Sequence, residues 1–217
     1  MKTAAIIISV LLTGVCSLDA QIRFDVWGGV STPSIPGNAG IFINRELPHE
    51  EFRFNIGKVK PQLFAGAKAH LELSSPFFVE GGLAFTQRNV IYDIRYTIID
   101  AEHPVSDHNM SESVNQLMLP VNMGANFGAF DITSGFRGIY AFGKKSALHQ
   151  LSGFEDDASS VQLGWQAGAG YYFNRSRIGL EFMGNFSRVG YGMKVNGQSM
   201  ELMNVPGHLI LSFQQSF

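Results

Sequence analysis

From His208 to the last residue the chain alternates large apolar side chains (Leu209, Leu211, Phe213) with mostly polar ones, and it stops on Phe217. Alternation with period two puts successive side chains on opposite faces of a strand, so this segment has one apolar and one mixed face. Such a strand needs partners along both edges, because unpaired backbone donors and acceptors are costly once they leave water. The constraint therefore passes upstream: the rest of the chain must supply more strands of the same kind.

The N-terminus indicates the compartment. Lys2 precedes Ala4 to Leu12, apolar except for Ser9, and small residues follow up to Ala20. This reads as a cleavable signal peptide over 1–20, too short to cross a bilayer as a helix. Cleavage after Ala20 leaves Gln21 first; Leu18 is bulky for its place, so a cut after Ser17 is the alternative. Cys16 is the only cysteine, and Val15 before it stands where lipidation wants a small residue. Without the leader there is no thiol, which excludes disulfides, zinc-thiolate sites and cysteine nucleophiles. The region 21–217 is enough for one domain and holds no apolar run long enough for a membrane-spanning helix.

A net charge of −2 gives no general attraction to nucleic acid. Charged residues make up 16%, against about a quarter in an ordinary soluble protein, while aromatics reach 12% and glycines number 24. That balance suits a β-protein whose outside faces lipid better than it suits a soluble enzyme.

Alternation predicts strands over 22–31, 61–74, 77–97, 114–126, 129–142, 160–173, 177–188 and 207–217. Short connections at Ser74-Ser75-Pro76, Phe127-Gly128 and Asn174-Arg175-Ser176 alternate with long ones near 32–60, 98–113, 143–159 and 189–206. The expectation is an all-β fold: an eight-stranded antiparallel transmembrane β-barrel with short periplasmic turns and long extracellular loops. One column of side chains is apolar, as in Leu63, Ala65, Ala67, Ala69, Leu71 or Leu117, Leu119, Val121, Met123. The other holds Arg23, Asp25, Lys68, His70, Glu72, Glu80, Asn122, Asp131, Arg137, Gln162, Gln166, Arg177, Glu181 and many glycines. Alternation alone does not say which column points inward; a lipocalin-like soluble barrel would reverse the two. The polar column has few charges of nearly balanced sign, as expected of groups packed against one another in a narrow lumen. It is therefore assigned to the inside, as a set of structural charges filling the barrel.

The apolar column from Phe77 to Phe85 covers about 20 Å of depth at ~3.3 Å per residue and ~40° tilt, close to the ~25 Å band of such barrels. Beyond Arg88 the apolar phase flips to Val90, Tyr92, Ile94 and Tyr96. The expectation is a strand leaving the bilayer, through a bulge, with its neighbour projecting as a ribbon. Pro120 removes a ladder hydrogen bond, which suggests a second bulge.

With these residues in place, the chain resembles the PorT-like outer-membrane β-barrel family, OmpX-like in architecture. Leu117-Met118-Leu119-Pro120-Val121 is similar to that family's aliphatic-x-aliphatic-Pro strand. Gly168-Ala169-Gly170-Tyr171-Tyr172-Phe173 resembles its glycine-rich strand ending in aromatics, and terminal Phe217 matches too. Ser134-Gly135-Phe136 fits the fifth-strand pattern in part, and Met183-Gly184-Asn185 departs from the tyrosine-glycine pattern of the seventh. The resemblance implies an outer-membrane location and an accessory role in protein secretion.

A lipid A deacylase of this shape needs His and Ser on the lipid face, whereas His70 and His208 fall in the inward column. His70, near Glu72 and Glu80, is expected to be a hydrogen-bond partner in the lumen. His49, His103, His108 and His149 lie in predicted loops, where a palmitoyltransferase-like site would be built. Glu102-His103 with Asp107-His108 offers oxygen and nitrogen ligands for a metal, and Glu50-Glu51 and Glu155-Asp156-Asp157 offer carboxylates to divalent ions on lipopolysaccharide. Each is more simply a solvated loop, so no catalytic residue, cofactor or metal is assigned. Phe52, Phe54, Tyr92 and Tyr96 are read either as a site for a partner strand or as plain strand extension. The expected partners are outer-membrane lipid and lipopolysaccharide, the barrel-assembly machinery reading Phe213 and Phe217 during insertion, and a protein at the extracellular loops; nucleic acid is not expected. A narrow passive channel and a lipid-modifying enzyme are the alternative functions.

Overall fold

The computed structural model describes residues 22–34, 40–43, 50–98, 106–151, 153–157, 159–186, 192–195, 197–199 and 207–217. The expected leader over 1–20 lies outside the described residues. The strands, in chain order, are β1 (Ile22–Ser34), β2 (Gly40–Ile43), β3 (Glu50–Val59), β4 (Gln62–Glu72), β5 (Phe77–Ile98), β6 (Ser106–Phe127) and β7 (Phe130–Ser146). A 3-10 turn (Ala147–Gln150) follows, then β8 (Phe154–Asp156), β9 (Val161–Phe173), β10 (Ser176–Asn185), β11 (Met193–Val195), β12 (Gln198–Ser199) and β13 (Gly207–Ser216).

Strands β1, β4, β5, β6, β7, β9, β10 and β13 form a closed antiparallel ring, each paired with its neighbours in sequence order. The ring closes where β13 meets β1, from Asp25 opposite Ser216 to Ser34 opposite Gly207. Closure pairs every ring strand along both edges and leaves no open sheet edge, which is what lets β-structure cross a membrane. No helix among the described residues is long and apolar enough to do so. At one end the connections are tight: Gly128 and Asn174 both take positive φ (68° and 57°) to reverse the chain within two residues.

The two columns separate as the sequence predicts. Leu63, Phe85, Val121, Met123, Leu163, Leu180 and Leu211 are exposed on the outside, while Asp25, Lys68, Glu80, Asn122, Asp131, Arg177 and Glu181 are buried within. This inside-out distribution is that of a barrel solvated by lipid.

Three expectations are corrected. The flip beyond Arg88 is not a bulge in β5, because the β5–β6 register runs unshifted from Phe77–Ala125 to Tyr96–Ser106. The inward column simply changes character, from polar within the membrane to apolar above it. The register slips instead in β3, between Ile56 and Lys58. Nor does Pro120 make a bulge: the ladder lapses opposite it and resumes in the same register on either side, Gly81–Val121 below and Ala84–Met118 above. Finally, the long connections near 32–60 and 98–113 are largely strand. β3 extends β4 outward against β5, β2 adds beside β3, and β6 begins at Ser106.

Candidate functional site

The interior is layered along the barrel axis. The layer nearest the short turns is polar. Arg177 binds Asp131 through two hydrogen bonds of 2.6 and 2.7 Å and lies 3.6 Å from Glu181, which also accepts from Ser212 at 3.1 Å. Lys68 meets Glu80 at 2.8 Å and sits over the Trp27 ring at 4.3 Å. Asn122 donates to Glu80 and accepts from Gln166, so the pair extends into a chain of amides. Arg23 lies 3.3 Å from Asp25, which also accepts from Gln214, and packs against the Tyr172 ring. Positive and negative groups that would be costly alone are thus held by one another and by neutral donors.

Other predicted lumen residues behave differently. His70 stands opposite Glu80 in the ladder, but its ring stacks on Phe78 at 4.3 Å and neither ring nitrogen has a hydrogen-bond partner among the described residues. Glu72 belongs to the same column yet is exposed at the mouth. Arg137, 3% exposed, meets no carboxylate among the described residues; it donates to Asn185 and touches the Met183 sulfur. The expected balance of charges thus fails locally at Arg137. At the terminus, Phe213 and Phe217 both face outward and are exposed, and the Phe217 amide donates to the Phe24 carbonyl.

Above the polar layer, an apolar one crosses the lumen. Trp27, Phe64, Ala84, Met118, Ile139, Met183 and Ile210 pack together, so every ring strand except β9 contributes. Reading the column by its polar majority hides this layer, because its members are single residues scattered over distant strands.

Nearer the long connections, charges return. Glu112, whose carboxylate side chain is 0% exposed, bridges Arg88 at 2.9 Å and Lys144 at 3.1 Å, and Lys144 reaches on to Asp156 of β8 at 2.6 Å. Tyr92 donates to the same carboxylate at 3.4 Å. Burial pushes the Tyr92 phenol up and the adjacent Glu112 pushes it the same way, so it remains a proton donor. The sequence marks out Arg88 only as the point where the phase flips, and Asp156 only as a carboxylate for divalent ions, whereas here it binds Lys144; Glu112 lies in a polar stretch that reads as a loop.

A second apolar core caps this network. Phe54, Ile56, Val90, Tyr92 and Ile94 of β3 and β5 pack against Leu148 of the 3-10 turn and Met193 and Val195 of β11. Phe54 and Tyr92 stack at 4.9 Å. They are therefore core residues of the cap and do not form a free surface for a partner strand. β11 joins β8 and β12 in a small sheet of its own. The long connections thus form a folded cap continuous with the barrel wall. Of the candidate metal ligands, Glu102 and His103 lie outside the described residues, and Asp107 and His108 fall on β6; the loop histidine His49 also lies outside the described residues. No group of three or more His, Cys, Asp or Glu able to hold a metal occurs among the described residues.

A closed eight-stranded ring, apolar outside and polar within, tight at one end and capped at the other, defines an outer-membrane β-barrel protein. The chain belongs to the family described as outer membrane protein beta-barrel domain, which it matches over residues 9–205. In fold it is similar to the outer membrane protein OprG from Pseudomonas aeruginosa, with a TM-score of 0.52. That likeness covers 90% of this chain and 95% of the other at 14% sequence identity, and so concerns the fold alone. No curated protein matches the sequence.

Proposed function

We propose that this barrel is a non-enzymatic interaction protein of the outer membrane, working through its extracellular cap. The observation that carries the reading is the cap's own apolar core, with Leu148 fully buried and the Glu112–Lys144–Asp156 bridge fastening it to the wall. Ordering so many residues above a membrane costs conformational entropy that loops with no task beyond connection need not spend. The partner is taken to be a protein, and the resemblance to PorT-like barrels suggests a component accessory to secretion. Phe213 and Phe217, exposed on the terminal strand, are proposed as the feature read by the assembly machinery.

The channel alternative has less support, because the apolar layer from Trp27 to Ile210 lies across the water path. For the deacylase form of the lipid-modifying alternative, His70 and His208 are both buried in the lumen and away from the membrane face; for the palmitoyltransferase-like form, the loop histidine His149 is exposed and packs edge-on against Phe154.

The test is a mild-detergent pull-down of the tagged protein from its native outer membrane, followed by mass spectrometry. Secretion or surface proteins that copurify, and that are lost when 40–58 is removed, support the reading. A barrel that purifies alone overturns it.

A further inference from the structure

On the membrane face of β7, Gly138 is flanked in register by Leu119 of β6 and Leu163 of β9. Where Gly138 presents no side chain, the apolar surface opens into a groove of about 180 Å³. Leu119 and Val121 line it from β6, and Leu163 and Phe186 from the other side. Phe136 reaches toward Phe186, with ring centroids 6.4 Å apart. A Cβ built on Gly138 would have only the Leu119 Cβ nearby, at 3.9 Å, so the space is open.

The groove's position decides what can occupy it. It lies just below Tyr140 and Phe142, whose rings stack at 6.1 Å, in the half of the barrel nearer the cap. With the tight turns periplasmic, that half faces the outer leaflet. The groove opens toward the hydrocarbon of the membrane, so a soluble ligand is not a candidate, and its one-glycine width suits a slender acyl chain. Further up the same strand Lys145 is exposed and makes no ion pair among the described residues, whereas Lys144 beside it points inward and is bound by Glu112 and Asp156. A free cation just beyond an aromatic girdle complements a lipid phosphate.

The geometry points to a seat for one lipid of the outer leaflet, a phosphorylated glycolipid of the lipid A type. One acyl chain lies in the Gly138 groove and a phosphate lies at Lys145. Because the surrounding solvent is itself hydrocarbon, the seat selects by shape and van der Waals contact, and the phosphate adds the charge term. This inference rests on the membrane orientation of the barrel and is independent of the cap's partner.

Native mass spectrometry of the tagged protein, extracted gently from its native outer membrane, tests it. The wild type is expected to retain one phosphorylated glycolipid per barrel. Gly138→Trp, which fills the groove, should lose that adduct, and Lys145→Glu should lower its fraction several-fold. Both variants should keep the heat-dependent gel mobility of a folded barrel; if Gly138→Trp does not, Gly138→Leu provides the same readout. An adduct undiminished in the filled-groove variant, a phospholipid in its place, or no adduct in the wild type would overturn the assignment.

Discussion

At the scale of single residues, the lumen contains both a compensated and an uncompensated charge. Arg177 and Asp131 come from strands 46 residues apart and hold each other bidentately, both side chains almost fully buried. Removing Asp131 leaves the buried Arg177 with Glu181, 3.6 Å away, as its remaining carboxylate, so Asp131→Ala is expected to lose about 3 kcal/mol, the low end for a broken buried pair. Arg177→Leu/Asp131→Leu/Glu181→Gln, which also neutralises the second acid beside Arg177, should recover most of that. Urea unfolding in lipid vesicles measures both, and equal losses in the two variants would show that the pair is not the stabilising unit. Arg137 is the opposite case. Since it has no carboxylate among the described residues to strand, Arg137→Met should be neutral or stabilising despite the lost bond to Asn185. A loss as large as that of Asp131→Ala would reveal a counter-ion held at that guanidinium.

At the scale of the element, β7 carries two glycines with opposite demands. Gly135 faces inward, where a Cβ would run into the Val121 carbonyl and the Asn122 side chain. Gly135→Ala should therefore cost about 1–3 kcal/mol through overpacking, whereas Gly138→Ala should stay within about 0.5 kcal/mol. The urea midpoints of the two variants distinguish these outcomes. The outward part of β6 shows how context overrides local signal. Ser106 to Ser113 is polar and reads as a loop, yet it pairs along the whole apolar extension of β5. Backbone bonding to an existing strand is enough to hold it, whatever its own propensity. In the cap, Leu148 is 0% exposed at the centre of the apolar core. Leu148→Asp would bury an unpaired charge there, so amide exchange should rise in 147–157 and 192–199 while the ring strands stay protected. Protection unchanged in those segments would mean that the cap does not depend on its core.

At the scale of the whole molecule, the order of layers makes the barrel a filled post and argues against a pore. The apolar layer lies between two polar compartments, and the cap's apolar core packs above the outer one. The purified protein in a planar bilayer is expected to show no stepwise conductance. Met118→Gly/Ile139→Gly, which thins the layer, is expected to produce steps. Steady conductance in the unaltered protein would show that a water path persists through the layer.

The sequence by itself determined the number of ring strands, nearly all strand bounds within the membrane and the direction each column faces. Those properties follow from a local period of two and from a composition suited to lipid, both readable one segment at a time. It also exposed the polar residues of the lumen, though not their arrangement. Only the tertiary structure decided that Arg177 meets Asp131, that Arg137 meets no acid among the described residues, and that Lys144 ties Glu112 to Asp156. It likewise decided that Met118, Ile139 and Ile210 lie at one level, and that β3, β5 and β11 share a core above the membrane. Each of these depends on the stagger between strands around a closed ring, which sets residues far apart in the chain at one height and which no single strand encodes.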